Sequence, residues 1–319
     1  MKAILFVGHG SRLAAGNDEV RTFIEQMTPR IDESFLVETC FLEFASPNIE
    51  DGITNCVKKG ATEVHVIPII LLHAGHSKMH IPAEIEHARE HYPNITFTYG
   101  QTIGIHDEIF AILEDRLAEI DFNTEEEHKD TAILLIARGG SDPAANGDFY
   151  KITRLLWEKL NVQYVESAFM GVTDPRVDEG IERCVKLGAK KIIMLPYFLF
   201  TGILMERMNG MCKQFNEQYP DCDIQIANYF GYHDRLQNVL LNRIEQAVNG
   251  TSTGMQDLEN YRAYAEVHGH AHHHHHHDHD HDHDHEHEHD HDHEHEHDHD
   301  HDHDHEHEHD HHHDEELVK

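Results

Sequence analysis

Apolar residues fall along this chain in short continuous runs that alternate with segments of helical period. Ala3 to Val7 is apolar at every position. It is followed by Gly8-His-Gly-Ser11 and then by Val20, Phe23, Ile24 and Met27 at helical spacing. A run with no polar interruption suits a strand covered on both faces, as in a parallel sheet. The alternation continues with a strand over Leu36 to Phe44, a helix over Ile49 to Lys59 ending at Gly60, and a strand over Glu63 to Leu72. A helix over Pro82 to Glu90, a strand over Ile95 to Tyr99 and a helix over about 106–119 complete the series. This order predicts a doubly wound parallel α/β sheet with right-handed crossovers.

The pattern then repeats. Ala3-Ile-Leu-Phe-Val-Gly-His9-Gly-Ser11 returns as Ala132-Ile-Leu-Leu-Ile-Ala-Arg138-Gly-Gly140, an offset of 129. Cys56-Val-Lys-Lys-Gly60-Ala61 returns as Cys184-Val-Lys-Leu-Gly188-Ala189 at 128, and Tyr92-Pro93 as Tyr219-Pro220 at 127. Offsets this constant indicate a duplicated domain. The expected organisation is a first half over 1–123, an acidic linker over 124–130, a degenerate second half over 131–250, and a disordered His-rich tail over 251–319. From His268 onward the chain is nearly all His, Asp and Glu. Such a segment has too little apolar surface to offset its ordering entropy.

The strand reading also places the chemistry. His9 directly follows the first strand, Glu43 lies near the end of the second, and His73 and His76 follow the third. All sit at the carboxyl ends of parallel strands, the edge where open α/β sheets bind ligands. The second copy works as an internal control. His9 faces Arg138, Glu43 faces Gly171, His73 faces Thr201 and His76 faces Leu204, whereas Pro47, Gly60 and Pro68 keep their mates Pro175, Gly188 and Pro196. Residues needed only for folding should persist in both copies, so the unmatched imidazoles and carboxylate are read as functional. By the same test His106, matched by His233, is structural. His65, in mid-strand, is read as hydrogen-bonded, and His87 and His91 as solvent-facing. Two imidazoles and a carboxylate suit a transient divalent-metal site. They also suit proton transfer near neutral pH, since an unperturbed imidazole titrates at about 6.5.

Composition narrows the field. Of the formal net charge of −35, the stretch from His268 contributes −19 and the remainder −16, which argues against nucleic-acid binding. The five cysteines form no C-x-x-C pair, so no iron–sulfur cluster is expected, and their odd number and irregular spacing suit reduced thiols in the cytoplasm. No apolar run approaches the roughly 20 residues of a membrane span. Gly8-His-Gly10 does not match the dinucleotide fingerprint. The alternating His and Asp/Glu of the tail suit buffering of divalent metal ions, although imidazole donors cannot select among them by affinity.

Val7-Gly-His-Gly-Ser11, Phe41-Leu-Glu43, and Leu71-Leu-His-Ala-Gly-His76 followed by Ile81-Pro82 together resemble the class II chelatases of tetrapyrrole synthesis. Within them they resemble the long-form, His-rich sirohydrochlorin cobaltochelatases of the CbiX type, close to the sirohydrochlorin ferrochelatases. The likeness covers about residues 1–249. It implies two duplicated chelatase-like domains with a cleft between them, and ATP-independent insertion of Co2+ into sirohydrochlorin on the anaerobic route to cobalamin. It implies His9 as metal ligand and proton acceptor, His76 as second metal ligand, and Glu43 as their catalytic partner. Glu43 and the segment Leu71, Leu72, His73, Ala74, Gly75 and His76 would line the tetrapyrrole site. Arg12 and Arg138 are candidates for its carboxylates. His80 is left open as a further metal contact. No tightly bound cofactor is expected. Co2+ is the substrate metal, with Fe2+ and Ni2+ as alternatives. The expected partners are sirohydrochlorin and divalent ions on the tail, with no nucleic acid and no membrane, in a monomer or homodimer. A non-catalytic metal-storage or metallochaperone protein is the alternative from another class.

Overall fold

The computed structural model describes residues 1–268; the His-rich stretch from 269 onward, with the metal-binding role expected of it, lies outside the described residues. The first half contains β1 (Lys2–Gly8), α1 (Ala14–Met27), β2 (Phe35–Phe41), α2 (Ile49–Lys58), β3 (Glu63–Ile69), α3 (Ile81–His91), β4 (Thr96–Tyr99) and α4 (Asp107–Ala118). The second contains β5 (His128–Ala137), α5 (Pro143–Lys159), β6 (Val162–Phe169), α6 (Val177–Lys186), β7 (Lys191–Pro196), α7 (Ile203–Gln218), β8 (Asp223–Ile226) and α8 (Asp234–Val248). A last helix, α9, spans Gly254–His268. Each half is a four-stranded parallel sheet, ordered β2-β1-β3-β4 in the first and β6-β5-β7-β8 in the second. This is the doubly wound α/β architecture expected from the apolar runs. The central strands β1 and β5 are buried almost end to end because helices cover both faces.

The halves share an apolar core. Ile4, Phe6, Phe23 and Leu113 from the first pack in one continuous cluster with Ile133, Leu135, Phe149 and Leu240 from the second. Separate clusters fill the outer face of each sheet. The joint is also polar. Buried Arg243 of α8 donates from Nε to the Thr102 carbonyl at 2.9 Å and from Nη2 to the Ile103 carbonyl at 2.6 Å.

The repeat reading of the minor histidines holds. His106 and His233 each precede a helix and accept the main-chain N–H two residues on, from Glu108 and Arg235 respectively. His65 is buried, with Nδ1 2.7 Å from Thr98 Oγ1.

The expected disordered tail from residue 251 begins too early. Ser252 Oγ donates to the Tyr99 carbonyl at 3.0 Å, and α9 then follows. Leu258 enters the outer core of the first half, and Tyr261 and Ala265 pack with Ala83 against Met79. Arg262 pairs with Glu86 of α3. Burial of one apolar stripe, rather than local propensity, stabilises this helix, because isolated helices of such length are marginal in water.

Candidate functional site

His9 emerges from the end of β1 through a turn that only glycine permits. Gly10 has φ +91°, and a Cβ there would collide with the main-chain carbonyl of Glu43. That close approach lets Leu42 N–H donate to the Gly8 carbonyl at 2.9 Å and Glu43 N–H to the His9 carbonyl at 3.1 Å. The β1 and β2 ends are thereby stitched together, and the His9 and Glu43 side chains meet. Asn17 closes the loop after His9, accepting from Ser11 N–H and donating to the Ser11 carbonyl, both at 2.8 Å.

His76 arrives from β3. The chain after Leu72 makes a π-helical turn over His76–His80 before α3. Ser77 anchors the turn: its Oγ donates to the Ala74 carbonyl at 2.9 Å, and its own carbonyl accepts from the Tyr99 hydroxyl at 2.9 Å. The His9 and His76 rings meet edge-on with centroids 4.8 Å apart. One ligand atom from each of His9, Glu43 and His76 lies within 4.8 Å of the others. Donors about 2.0–2.2 Å from one metal ion sit at most about 4.4 Å apart, so small side-chain rotations suffice to close this trio on a cation.

Both imidazoles are held neutral. Burial, then the Arg138 guanidinium, pull the His9 pKa down to about 4, while the Gly10 carbonyl opposes them. Burial, followed by His9, His80 and Arg138, takes His76 to about 3. The approach of His9 Nδ1 to Glu43 Oε1 at 3.5 Å is therefore a contact between a neutral ring and a carboxylate at pH 7, not an ion pair. Neutral imidazole is the form that binds metal.

The other expected residues divide. Arg138 reaches across from the end of β5 and places Nη1 3.1 Å from His9 Nε2. His80 joins the cluster, with Nδ1 2.9 Å from His76 Nδ1. His73 turns away from the trio: Nε2 lies 3.2 Å from Asp257 of α9, and Nδ1 lies 3.2 Å from Ser77 Oγ. Leu71 and Leu72 are half-buried against the shared core, Ala74 is half-buried and Gly75 exposed. Arg12 lies over the exposed Phe44 ring at 4.9 Å, on the solvent side of the same loop.

Three supporting residues carried weaker signals. Asn17 has its counterpart in Asn146, which donates to the Gly140 carbonyl at 2.8 Å, so the offset of 129 marks it as part of the repeated scaffold. Lys78 spans the halves, 2.6 Å from Asp142 at the start of α5. Asp257 lies in a segment whose apolar pattern is too sparse to announce a helix.

The match to a family model decides the classification: the CbiX model aligns with residues 3–120 and again with 132–247. This chain belongs to the CbiX family. The two alignments coincide with the two four-stranded halves. Among curated relatives, a sirohydrochlorin cobaltochelatase of Priestia megaterium is 55% identical over 262 residues, covering 82% of this chain and 85% of that protein. A sirohydrochlorin ferrochelatase of the same organism is 37% identical, covering 77% and 90% respectively. Among solved structures, the sirohydrochlorin chelatase SirB from Bacillus subtilis subspecies spizizenii, in complex with cobalt, superposes with a TM-score of 0.66 at 32% identity, covering 78% of this chain and 96% of that one. No helix of the described residues is long and apolar enough to cross a membrane.

Proposed function

We propose that this chain is a sirohydrochlorin cobaltochelatase, inserting Co2+ into sirohydrochlorin without ATP to form cobalt-sirohydrochlorin for cobalamin synthesis. The observation that carries the reading is the trio His9, Glu43 and His76, gathered from the ends of three strands with both rings neutral. An open set of two nitrogens and a carboxylate holds a divalent ion without enclosing it, which suits a metal that is handed on. Insertion replaces two pyrrole N–H protons with one M2+, so two protons must leave as the metal enters. His9 receives one when its metal departs, and the Glu43 carboxylate beside Nδ1 stabilises the resulting imidazolium; the second passes to solvent. Leu71, Leu72 and the main chain of 73–76 would supply apolar and amide contacts to a macrocycle face. Arg12 and Arg138 meet its carboxylates. The likeness to a cobaltochelatase at 55% identity, against 37% for a ferrochelatase, favours cobalt, although this donor set accepts Fe2+ and Ni2+ as well.

The five buried free thiols fit a reducing cytoplasm, where we place the reaction. One chain contains both halves of the cleft, so a monomer suffices for activity. The residues from 269 onward serve as a metal reservoir that raises the local ion concentration.

The test is insertion followed by the absorbance of sirohydrochlorin, with Co2+, Fe2+ and Ni2+ each held at a fixed free concentration. Cobalt is expected to be inserted fastest. Removal of residues 269–319 should leave the rate at saturating Co2+ unchanged and lower it when Co2+ is scarce. Metal uptake with no change in the macrocycle spectrum would establish the storage alternative instead.

A further inference from the structure

A neutral imidazole has one lone pair, and the structure shows which His9 nitrogen carries it. Arginine has only donors. In the 3.1 Å contact between Arg138 Nη1 and His9 Nε2 the guanidinium must donate, so Nε2 is the unprotonated nitrogen. The hydrogen is on Nδ1, which faces the Gly10 carbonyl at 3.3 Å and Glu43 Oε1 at 3.5 Å. The lone pair suited to a metal is therefore the one the guanidinium occupies. A metal on Nε2 would sit about 2.0–2.1 Å from it along that direction. A cation there and a guanidinium nitrogen at 3.1 Å collide and repel, so only one can be present.

We propose that Arg138 is an exchangeable cap on the His9 lone pair, keeping the site's affinity for metal low until a carboxylate of the incoming macrocycle draws the guanidinium away. This deepens the functional reading above and rests on it for the identity of the macrocycle. The exchange is chemically favoured, because a carboxylate offers a guanidinium two charge-assisted hydrogen bonds in fork geometry, whereas the imidazole offers one neutral acceptor. The motion is available because Arg138 is exposed and follows a strand end rather than lying within an element. Asp142, four residues after Arg138 in the same half, is already engaged by Lys78 at 2.6 Å. By linkage the coupling runs both ways: a macrocycle that lifts Arg138 tightens metal binding by some factor, and bound metal tightens the macrocycle by the same factor. A stray divalent ion meets a capped site, and one arriving with the macrocycle meets an open one.

The experiment reads His9 directly in the full chain. Diethyl pyrocarbonate acylates unprotonated imidazole nitrogen, and trypsin releases Ala3–Arg12, in which His9 is the sole histidine. Free Co2+ is fixed with a nitrilotriacetate buffer, so ions taken up elsewhere on the chain do not matter. In Arg138→Leu, metal-free His9 is expected to be acylated about tenfold faster than in the wild type, the scale of one hydrogen bond to a charged group. The free Co2+ that half-protects His9 should fall by a similar factor. Under turnover at saturating sirohydrochlorin the two proteins should show the same KM for Co2+, with a higher KM for sirohydrochlorin in the variant. Equal acylation rates and equal half-protecting Co2+ in both proteins would overturn the cap. A Co2+ advantage in the variant that persists at saturating sirohydrochlorin would overturn its release by the macrocycle. The acylation measurements need no turnover, so they decide the cap even if neither protein inserts cobalt, an outcome that would instead defeat the functional reading.

Discussion

The ends of β1 and β5 share one main-chain design and differ in nearly every reactive side chain. In the first half Leu42, Glu43 and Ala45 N–H groups donate to the carbonyls of Gly8, His9 and Glu43 at 2.9, 3.1 and 2.8 Å; in the second, Met170, Gly171 and Thr173 donate to Ala137, Arg138 and Gly171 at 2.9, 2.9 and 2.7 Å. Gly10 and Gly139 sit at φ +91° and +85°, each against the carbonyl it must clear. Ser46-Pro47 and Asp174-Pro175 are both cis. On these matched frames the first half presents His9, Glu43 and His76, and the second presents Arg138, Gly171 and Leu204. The scaffold and the chemistry are thus separable. Main-chain hydrogen bonds and two glycines build the rim, and a few side chains set its chemistry, imidazoles and a carboxylate on one side and a guanidinium on the other.

The sharpest way to break this comparison is to remove the reactive groups on both sides. His9→Ala and His76→Ala should each lower the rate of cobalt insertion at least about a hundredfold, the range of a lost acid–base or ligand group. Thr201→Ala and Leu204→Ala, at the positions facing His73 and His76, should change it less than about twofold. Rates within a factor of two for all four variants would remove the asymmetry altogether.

The shared scaffold should respond alike in the two halves. Gly10→Ala and Gly139→Ala force a Cβ into a carbonyl at positive φ, and each should cost about 2–3 kcal/mol. That corresponds to a fall in Tm of roughly 4–10 °C for a fold of this size. Activity separates them, because Gly10→Ala disturbs the His9–Glu43 pairing and should lower the insertion rate, whereas Gly139→Ala disturbs the Arg138 turn and should raise the KM for sirohydrochlorin. Calorimetry and an insertion assay on the same preparations check both halves of the statement.

Acid should expose the asymmetry in stability. The folded-state pKa of His76 lies near 3 and that of His9 near 4, below the usual value of about 6.5 for an exposed imidazole. The unfolded chain therefore takes up protons first, and the stability tied to these neutral rings is present above pH 6.5 and lost as pH falls toward 4. His76→Ala should lose less stability than the wild type between pH 7 and pH 5, as read from urea midpoints at the two pH values. Parallel midpoints would show that the ring is not held neutral by the fold. The smallest effect belongs to the matched pair His106 and His233. Replacing either with alanine removes a helix N-cap acceptor and should cost about 1 kcal/mol, with no change in insertion.

Much of the architecture was legible because the cores of the central strands, Ala3 to Val7 in β1 and Ala132 to Ala137 in β5, are apolar at every position and are each followed closely by glycine. The carboxyl ends of the first three strands put His9, Glu43 and His76 on one rim, and the second copy removes His106 from contention. Three features were not legible, for a common reason. The hold of Arg138 on His9 spans 129 residues, the His73–Asp257 pairing spans 184, and α9 is stabilised by Ala83 and Met79 far back in the chain. A periodicity reading sees only neighbours in sequence. It placed Arg138 on the opposite wall but could not bring it onto the imidazole, and it took the sparse apolar stripe of α9 for the start of the tail.

The shared core has a consequence for how anything enters the cleft. Ile4 and Phe6 pack in the same cluster as Ile133 and Leu135, and Arg243 is riveted by two carbonyls of the other half. Two lobes welded in this way cannot open as a hinge without exposing that interior, and calorimetry should record one cooperative transition rather than two. With lobe closure unavailable, the motion left at the rim is rotation of single side chains, and Arg138 and Lys78 bridge the halves there.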